Sequence, residues 1–373
     1  MDTLELAQTL IREASVTPED GRCQQLIAER LEKLGFAITH YPFGEVSNLW
    51  ARHGTTAPLL VFAGHTDVVP TGPEEDWTYP PFSATVVENT LYGRGATDMK
   101  GAIAAMVCAA ERYVSANPNH TGSLAFLITS DEEGPAIDGT QRVLANLPPE
   151  DLKMDYCIVG EATCVDTFGD MLKNGRRGSL SATLTIHGKQ GHIAYPQLAD
   201  NPIHRALAAL QAIATYQWDV GDEFFPPTSL QMSNIHAGTG AGNVIPGHLD
   251  IKFNLRYSPL QTADGIQHQI KMLLAPFNLN YDIDWVHGAE PFVTKPGKLT
   301  STLSQIIENL THMTPVLSTT GGTSDARFIY KTGAEVIEFG VRNTSAHHTN
   351  EHVSVTELSL LSIIYEHILM SIL

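Results

Sequence analysis

The stretch SLAFLITSDEEG, residues 123–134, runs from an apolar segment straight into three consecutive carboxylates. Leu124 to Ile128 follow one another with no polar alternation. A strand of that kind is covered on both faces, as the inner strands of an α/β sheet are. Asp131, Glu132 and Glu133 repel one another, and each is destabilised when water is withdrawn. A cation at the end of this strand would make three adjacent carboxylates tolerable there.

Working outward, the same style recurs. PLLVFAG (58–64) and DYCIVG (155–160) are near-continuous apolar runs, and FAITHY (36–41) and NLWAR (48–52) are further strand candidates. MKGAIAAMVCAAERYV (99–114) reads as a buried helix, and residues 22–34 as a helix closed by Gly35. From about Arg177 the pattern changes. SLSATLTIHG (179–188) alternates apolar and polar residues, as a half-exposed strand does. A helix over 201–216 opens with proline, and strands follow at 228–238 and 247–258. A helix near 262–275 and a strand near 280–288 complete a β-α-β-β-α-β order. A helix near 299–312, AEVIEFG and the apolar segment 355–373 return to the first style. The expected architecture is therefore an α/β catalytic domain, with a mixed sheet and helices on both faces, formed by residues 1–177 and 292–373. A ferredoxin-like α+β module over 178–291 is inserted into it.

Composition narrows the function. The chain has 373 residues, 41 acidic against 23 basic, for a formal charge of −18. Like charges repel, so neither nucleic acid nor an anionic membrane surface is an expected partner. No run reaches the roughly 20 apolar residues that a membrane span needs. The N-terminal segment reads as an amphipathic helix with Leu4, Ala7, Leu10 and Ile11 on one stripe, and it lacks the signal-peptide pattern. Cys23, Cys108, Cys157 and Cys164 show no CxxC spacing. Reduced, buried thiols and a cytoplasmic location are expected.

Acidic and imidazole groups recur just after apolar strands: His65 and Asp67 in GHTDVVP, Glu132 and Glu133 in TSDEEG, and Glu161 in VGEAT. Asp98 precedes a helix in GRGATDMKG. In open α/β sheets the carboxyl ends of strands converge on the ligand site, so these residues can meet. A mixture of imidazole and carboxylate suits zinc. Residues two apart in an extended segment point the same way, so Asp67 can stand behind His65 and fix its tautomer. SAHHTNEH (345–352) offers His347, His348 and His352, of which not all can be ligands.

Taken in order, GHTDVVPTG, LYGRGATDMKG, TSDEEG, the GE at 160–161 and HHTNE resemble the landmarks of the co-catalytic dizinc aminoacylase and carboxypeptidase family. NGRRGSLSATLTIHGKQGHIAYP, LADNPIH, GAGNVIPG and GGTSDARF are similar to its desuccinylase branch. The resemblance implies two zinc ions per subunit, with cobalt as a candidate substitute. His65 and Glu161 would hold one ion, Glu133 and His347 the other, and Asp98 would bridge them ahead of a cis peptide to Met99. The choice of His347 over His348 follows the family spacing to Asn350. Glu132 would be the general acid/base, with Asp67 supporting His65. The inserted module would act as lid and dimerisation domain of a homodimer, sending His192 of one subunit to the other's site as an oxyanion donor. Arg176, Asn243, Arg256, Thr323 and Asn343 fall where that branch contacts a small substrate bearing carboxylates.

The reaction so implied is hydrolysis of N-succinyl-LL-2,6-diaminopimelate in lysine and diaminopimelate synthesis. GEAT stands where GEPT is usual, and the residues around HHTNE also differ from that branch; neither change removes a ligand. A deacylase acting on acetylornithine, or a dipeptidase, would share the metal landmarks. A non-catalytic paralogue would not need every metal and base position intact. A serine hydrolase lacks its GxSxG elbow here.

Overall fold

The computed structural model describes residues 2–373. Its contacts divide the chain into two compact units. The first runs to Gly175 and takes up Thr294–Ser318 and Ser324–Leu373. The second comprises Arg176–Val293 with Thr319–Thr323.

The first unit is built on an eight-stranded mixed sheet. In chain order its strands are β1 (Ala37–His40), β2 (Asn48–His53), β3 (Leu59–His65), β4 (Ser123–Thr129), β5 (Tyr156–Val159), β6 (Met171–Lys173), β7 (Val316–Ser318) and β8 (Glu335–Glu338). Across the sheet the order is β1-β2-β4-β3-β5-β8-β6-β7. β4, β3, β5 and β8 run parallel at its centre. Every residue of β3 and β4 is buried, as two-sided burial requires. Leu60, Phe62, Leu124, Phe126 and Ile158 face one core cluster, shared with α1 (Thr3–Arg12), α2 (Cys23–Glu32), α3 (Lys100–Ala116), α4 (Lys298–Thr311) and α5 (Val355–Ile372). The alternating Val61, Ala63, Ala125, Leu127, Cys157 and Val159 are also buried. Short helices at Thr140–Leu144 and Ala326–Ile329 pack on the sheet as well.

By length and composition α5 could cross a membrane, the one such helix among the described residues. The sequence reading found no run of that kind. Here Leu358, Leu361, Ile364, Tyr365 and Ile368 are buried and α5 packs along α3, the arrangement of a core helix. All four cysteines are buried and unpaired.

In the second unit, strands Ser229–Ala237, His248–Tyr257, Gly178–His187 and Tyr281–Ala289 lie side by side in that order. All pairs are antiparallel. Numbered along the chain this is order 2-3-1-4, the arrangement of a β-α-β-β-α-β module. Gly178–His187 alternates buried and half-exposed residues along its whole length. Its buried Leu180, Leu184 and Ile186 share a core with Ala206, Ala209 and Ile213 of helix Pro202–Ala214 and Ile266 and Ile270 of helix Ala263–Leu274.

Candidate metal centre

The carboxyl ends of β3, β4 and β5 deliver the site. His65 is the last residue of β3 and lies in register with Thr129, which ends β4. The loop after β4 carries Glu132 and Glu133, and Glu161 follows β5. Asp98 stands just before α3, at a cis peptide to Met99. Glycine makes room behind it: a Cβ on Gly64 would lie 2.5 Å from the Met99 methyl.

Asp98 faces two imidazoles. Its Oδ1 is 3.1 Å from His65 Nε2, and its Oδ2 is 3.3 Å from His347 Nε2. His347 Nε2 also lies 2.8 Å from Glu133 Oε1. His65 Nε2 lies 3.6 Å from Glu161 Oε1 and 3.9 Å from Glu132 Oε2. Donor atoms of His65, Glu132 and Glu161 lie within 4.8 Å of one another, as do those of His65, Asp98 and Glu133. Imidazole nitrogen and carboxylate oxygen at such spacing fit a zinc-type donor set. Of the adjacent histidines, His347 meets these carboxylates, at a left-handed backbone with φ 64°. His348 is engaged through its main chain, its N–H donating to the Ser345 carbonyl.

Asp67 stands behind His65 with two groups. The nearest partner of His65 Nδ1 is the Asp67 main-chain carbonyl at 2.9 Å, while the carboxylate is 3.5 Å away. That carboxylate also accepts the N–H of Glu132 at 3.3 Å and of Glu133 at 3.1 Å. It therefore orients the loop that presents both glutamates. Asp131 has turned the other way. It is 2% exposed and accepts the Asp138 N–H at 2.9 Å, bracing the same loop.

Crowded carboxylates shift one another's protonation. Burial pushes Glu132 up to about 8, against the opposing charge of His65 and with help from Asp325, Glu133 and Asp98. Burial and the Asp98 charge raise Glu161. Burial would lower His65, but the acceptors on Asp67 and Asp98 outweigh it and hold the ring well above its usual value. His347 is raised to about 10 by its bonds to Asp98 and Glu133. Burial alone would raise Asp98; its bonds to His347 and His65 prevail and hold it low. A divalent cation reverses this logic, since it displaces protons from imidazole and carboxylate alike.

The remaining residues named from sequence lie as follows. Asn343 is an exposed residue of the first unit, its N–H donating to the Cys164 carbonyl. In the second unit, His192 and Asn243 share a short ribbon: His192 pairs with Val244, and Ile193 N–H donates to the Asn243 carbonyl at 3.2 Å. His192 Nδ1 accepts the Ala194 N–H at 3.0 Å, which places the neutral ring's proton on Nε2. Arg176 is buried and donates to the carbonyls of Thr320 and Gly322. Arg256 is half-buried, as is Thr323.

Sequence reasoning passed over Arg177. Burial lowers its guanidinium, and the neighbouring charge of Arg256 lowers it further. Its Nε is buried without a partner. The doubled arginine in NGRRGSL was its only visible signal. Asp325 was also missed; it is buried and its charge acts on Glu132.

Residues 61–371 match the model of Peptidase family M20/M25/M40. The chain belongs to this family. Among curated M20 relatives, a succinyl-diaminopimelate desuccinylase of Hahella chejuensis is 55% identical over 371 residues, covering 100% of this chain and 97% of its own. One of the same name from Acinetobacter baylyi is 54% identical, with 100% and 99% covered. An M20 metallo-carboxypeptidase from Sulfolobus solfataricus superposes with a TM-score of 0.81 at 19% identity, covering 99% of both chains. A tripeptidase of Staphylococcus aureus gives 0.79 at 20%, covering 99% of this chain and 97% of its own. These last two share the M20 fold.

Proposed function

We propose that this chain is a metal-dependent amidohydrolase that cleaves N-succinyl-LL-2,6-diaminopimelate to succinate and LL-2,6-diaminopimelate. The observation that carries the substrate is the full-length identity, at 55%, with a relative named for that reaction. The geometry supports the reaction type. Asp98 offers one oxygen to each of two histidines, with Glu132 alongside.

His65 and Glu161 would hold one zinc ion, Glu133 and His347 a second, and Asp98 would serve both. Bound zinc supplies Lewis acidity and lowers the pKa of water. Glu132 accepts a proton from the attacking water at its carboxylate and delivers one to the leaving amine nitrogen. Its burial favours the neutral acid, so as a carboxylate it takes up the proton of water readily. Asp67 keeps Glu132 and Glu133 aimed through their N–H groups. In the second unit, read as lid and dimerisation domain, His192 supplies Nε2–H to the developing oxyanion in the partner subunit. Arg177 and Arg256 form a pair of cations suited to a substrate carboxylate, with Arg176, Asn243, Thr323 and Asn343 contributing to the same recognition.

The test is amide hydrolysis by zinc-reconstituted protein, with N-succinyl-LL-diaminopimelate and N-acetylornithine run side by side. The expected result is strong preference for the succinyl substrate, lost with a chelator and restored by zinc. Preference for acetylornithine overturns the substrate. Activity on neither overturns the reading.

A further inference from the structure

Glu351 is fully buried where its own segment, 345–352, meets 94–98, and both segments carry site residues. Its Oε1 accepts the main-chain N–H of Thr97 at 2.8 Å and of Asp98 at 3.0 Å. Its Oε2 accepts the N–H of Gly95 at 3.0 Å and Nη1 of Arg94 at 2.8 Å. Arg94, 2% exposed, extends the tie: its guanidinium donates to the carbonyls of His348 and Pro70 and lies 5.2 Å from the centre of the Trp77 ring. From the other side the Thr97 hydroxyl lies 3.1 Å from the Ser345 hydroxyl and donates to the His352 carbonyl at 2.7 Å. Ser345 and Glu351 bracket His347 in the chain, so the segment that presents this histidine is pinned on both sides of it.

We propose that Glu351, with Arg94, is a positioning residue that sets Asp98 against His347 and so fixes one half of the metal centre. The inference rests on the metal-centre reading given above. Asp98 hangs from an N–H that Glu351 holds, and His347 sits four residues before Glu351. The pair of groups that meet at 3.3 Å is thus set by one buried carboxylate. Only a carboxylate satisfies this arrangement, because both oxygens face donors. A glutamine would turn an NH2 group toward N–H groups, leaving buried donors unmet. His65 and Glu161 hang from strand ends outside the tie. The site of Glu133 and His347 therefore depends on Glu351 for two ligands, and the site of His65 and Glu161 for one.

Calorimetric titration of metal-free protein with Zn2+ tests this, on the wild type, Glu351→Gln, His347→Ala and Glu351→Asp, with thermal midpoints measured in chelator. The wild type should show two binding events. Glu351→Gln should keep one and weaken the other by about 10–100-fold, the range seen when groups behind metal ligands are removed. The weakened event should be the one that His347→Ala removes. Wild-type binding of both ions, or equal loss of both, overturns the proposal, because a merely structural role does not single out one site. If Glu351→Gln does not fold, Glu351→Asp decides, since it keeps the charge but draws both oxygens back from their donors: weakening of that same event supports the proposal, and unchanged binding overturns it. A wild type that binds no zinc sinks the underlying metal-centre reading instead.

Discussion

Glu132 and Glu133 are adjacent in the chain yet face different partners. Glu133 lies 2.8 Å from His347, and Glu132 is 3.9 Å from His65. Glu132→Gln keeps the shape while removing the base, so metal content should stay and kcat should fall by about 10²–10⁴-fold. A wild-type rate would rule Glu132 out as the proton carrier. That these carboxylates would gather with His65 was legible from their place after apolar strands. Their division of labour came only with a family resemblance, because neighbouring residues carry no spacing signal. Arg177 shows the opposite case. Only the doubled arginine announced it, since its proximity to Arg256 arises from the sheet register. Arg177→Met should lower kcat/KM by about 10–100-fold, the equivalent of ~1.5–3 kcal/mol for a hydrogen bond to a charged group. Unchanged kcat/KM would remove it from substrate recognition.

At the scale of elements, the strands that deliver the site were readable because β3, β4 and β5 are short, apolar and buried on both faces. β6 and β7 were not, being three residues each, with polar members. Helix α4 was readable from its apolar stripe, but its cap was not. Its N-cap position is Gly297, which has no side chain to offer. Glu335, at the start of β8, accepts the N–H groups of Gly297, Leu299 and Thr300 and the Thr300 hydroxyl, at 2.7 to 2.9 Å. A cap supplied from 35 or more residues away leaves no local trace in sequence. Glu335→Ala should cost about 1–2 kcal/mol, as loss of a helix cap does, with metal binding intact. An unchanged thermal midpoint would show that water replaces the cap without penalty.

At the scale of the molecule, the β-α-β-β-α-β order of the second unit was written in its alternation of strand and helix patterns. The return of Thr319–Thr323 to that unit was not, since five residues carry no periodicity. The metal centre couples to stability through its protons. In the metal-free protein Glu132 rises from 4.5 to about 8, and His347 from 6.5 to about 10. Glu161 and His65 also rise. A group raised in this way stays protonated in the folded chain at pH values where the unfolded chain has released its proton. Stability therefore falls as pH climbs through each window. Asp98, held low, acts in the reverse sense, but only below the ordinary value of 3.8. The share of His347, half-exposed, is reduced by solvent screening. The metal-free protein should thus lose stability from about pH 4.5 upward, through about pH 10. Zinc binding replaces those protons, so its affinity grows as they become easier to remove. The difference in thermal midpoint between zinc-loaded and chelated protein should widen between about pH 6 and pH 9. A gap that stays constant would mean that these groups do not exchange protons for metal, and that the carboxylates after β4 are tolerated for some other reason.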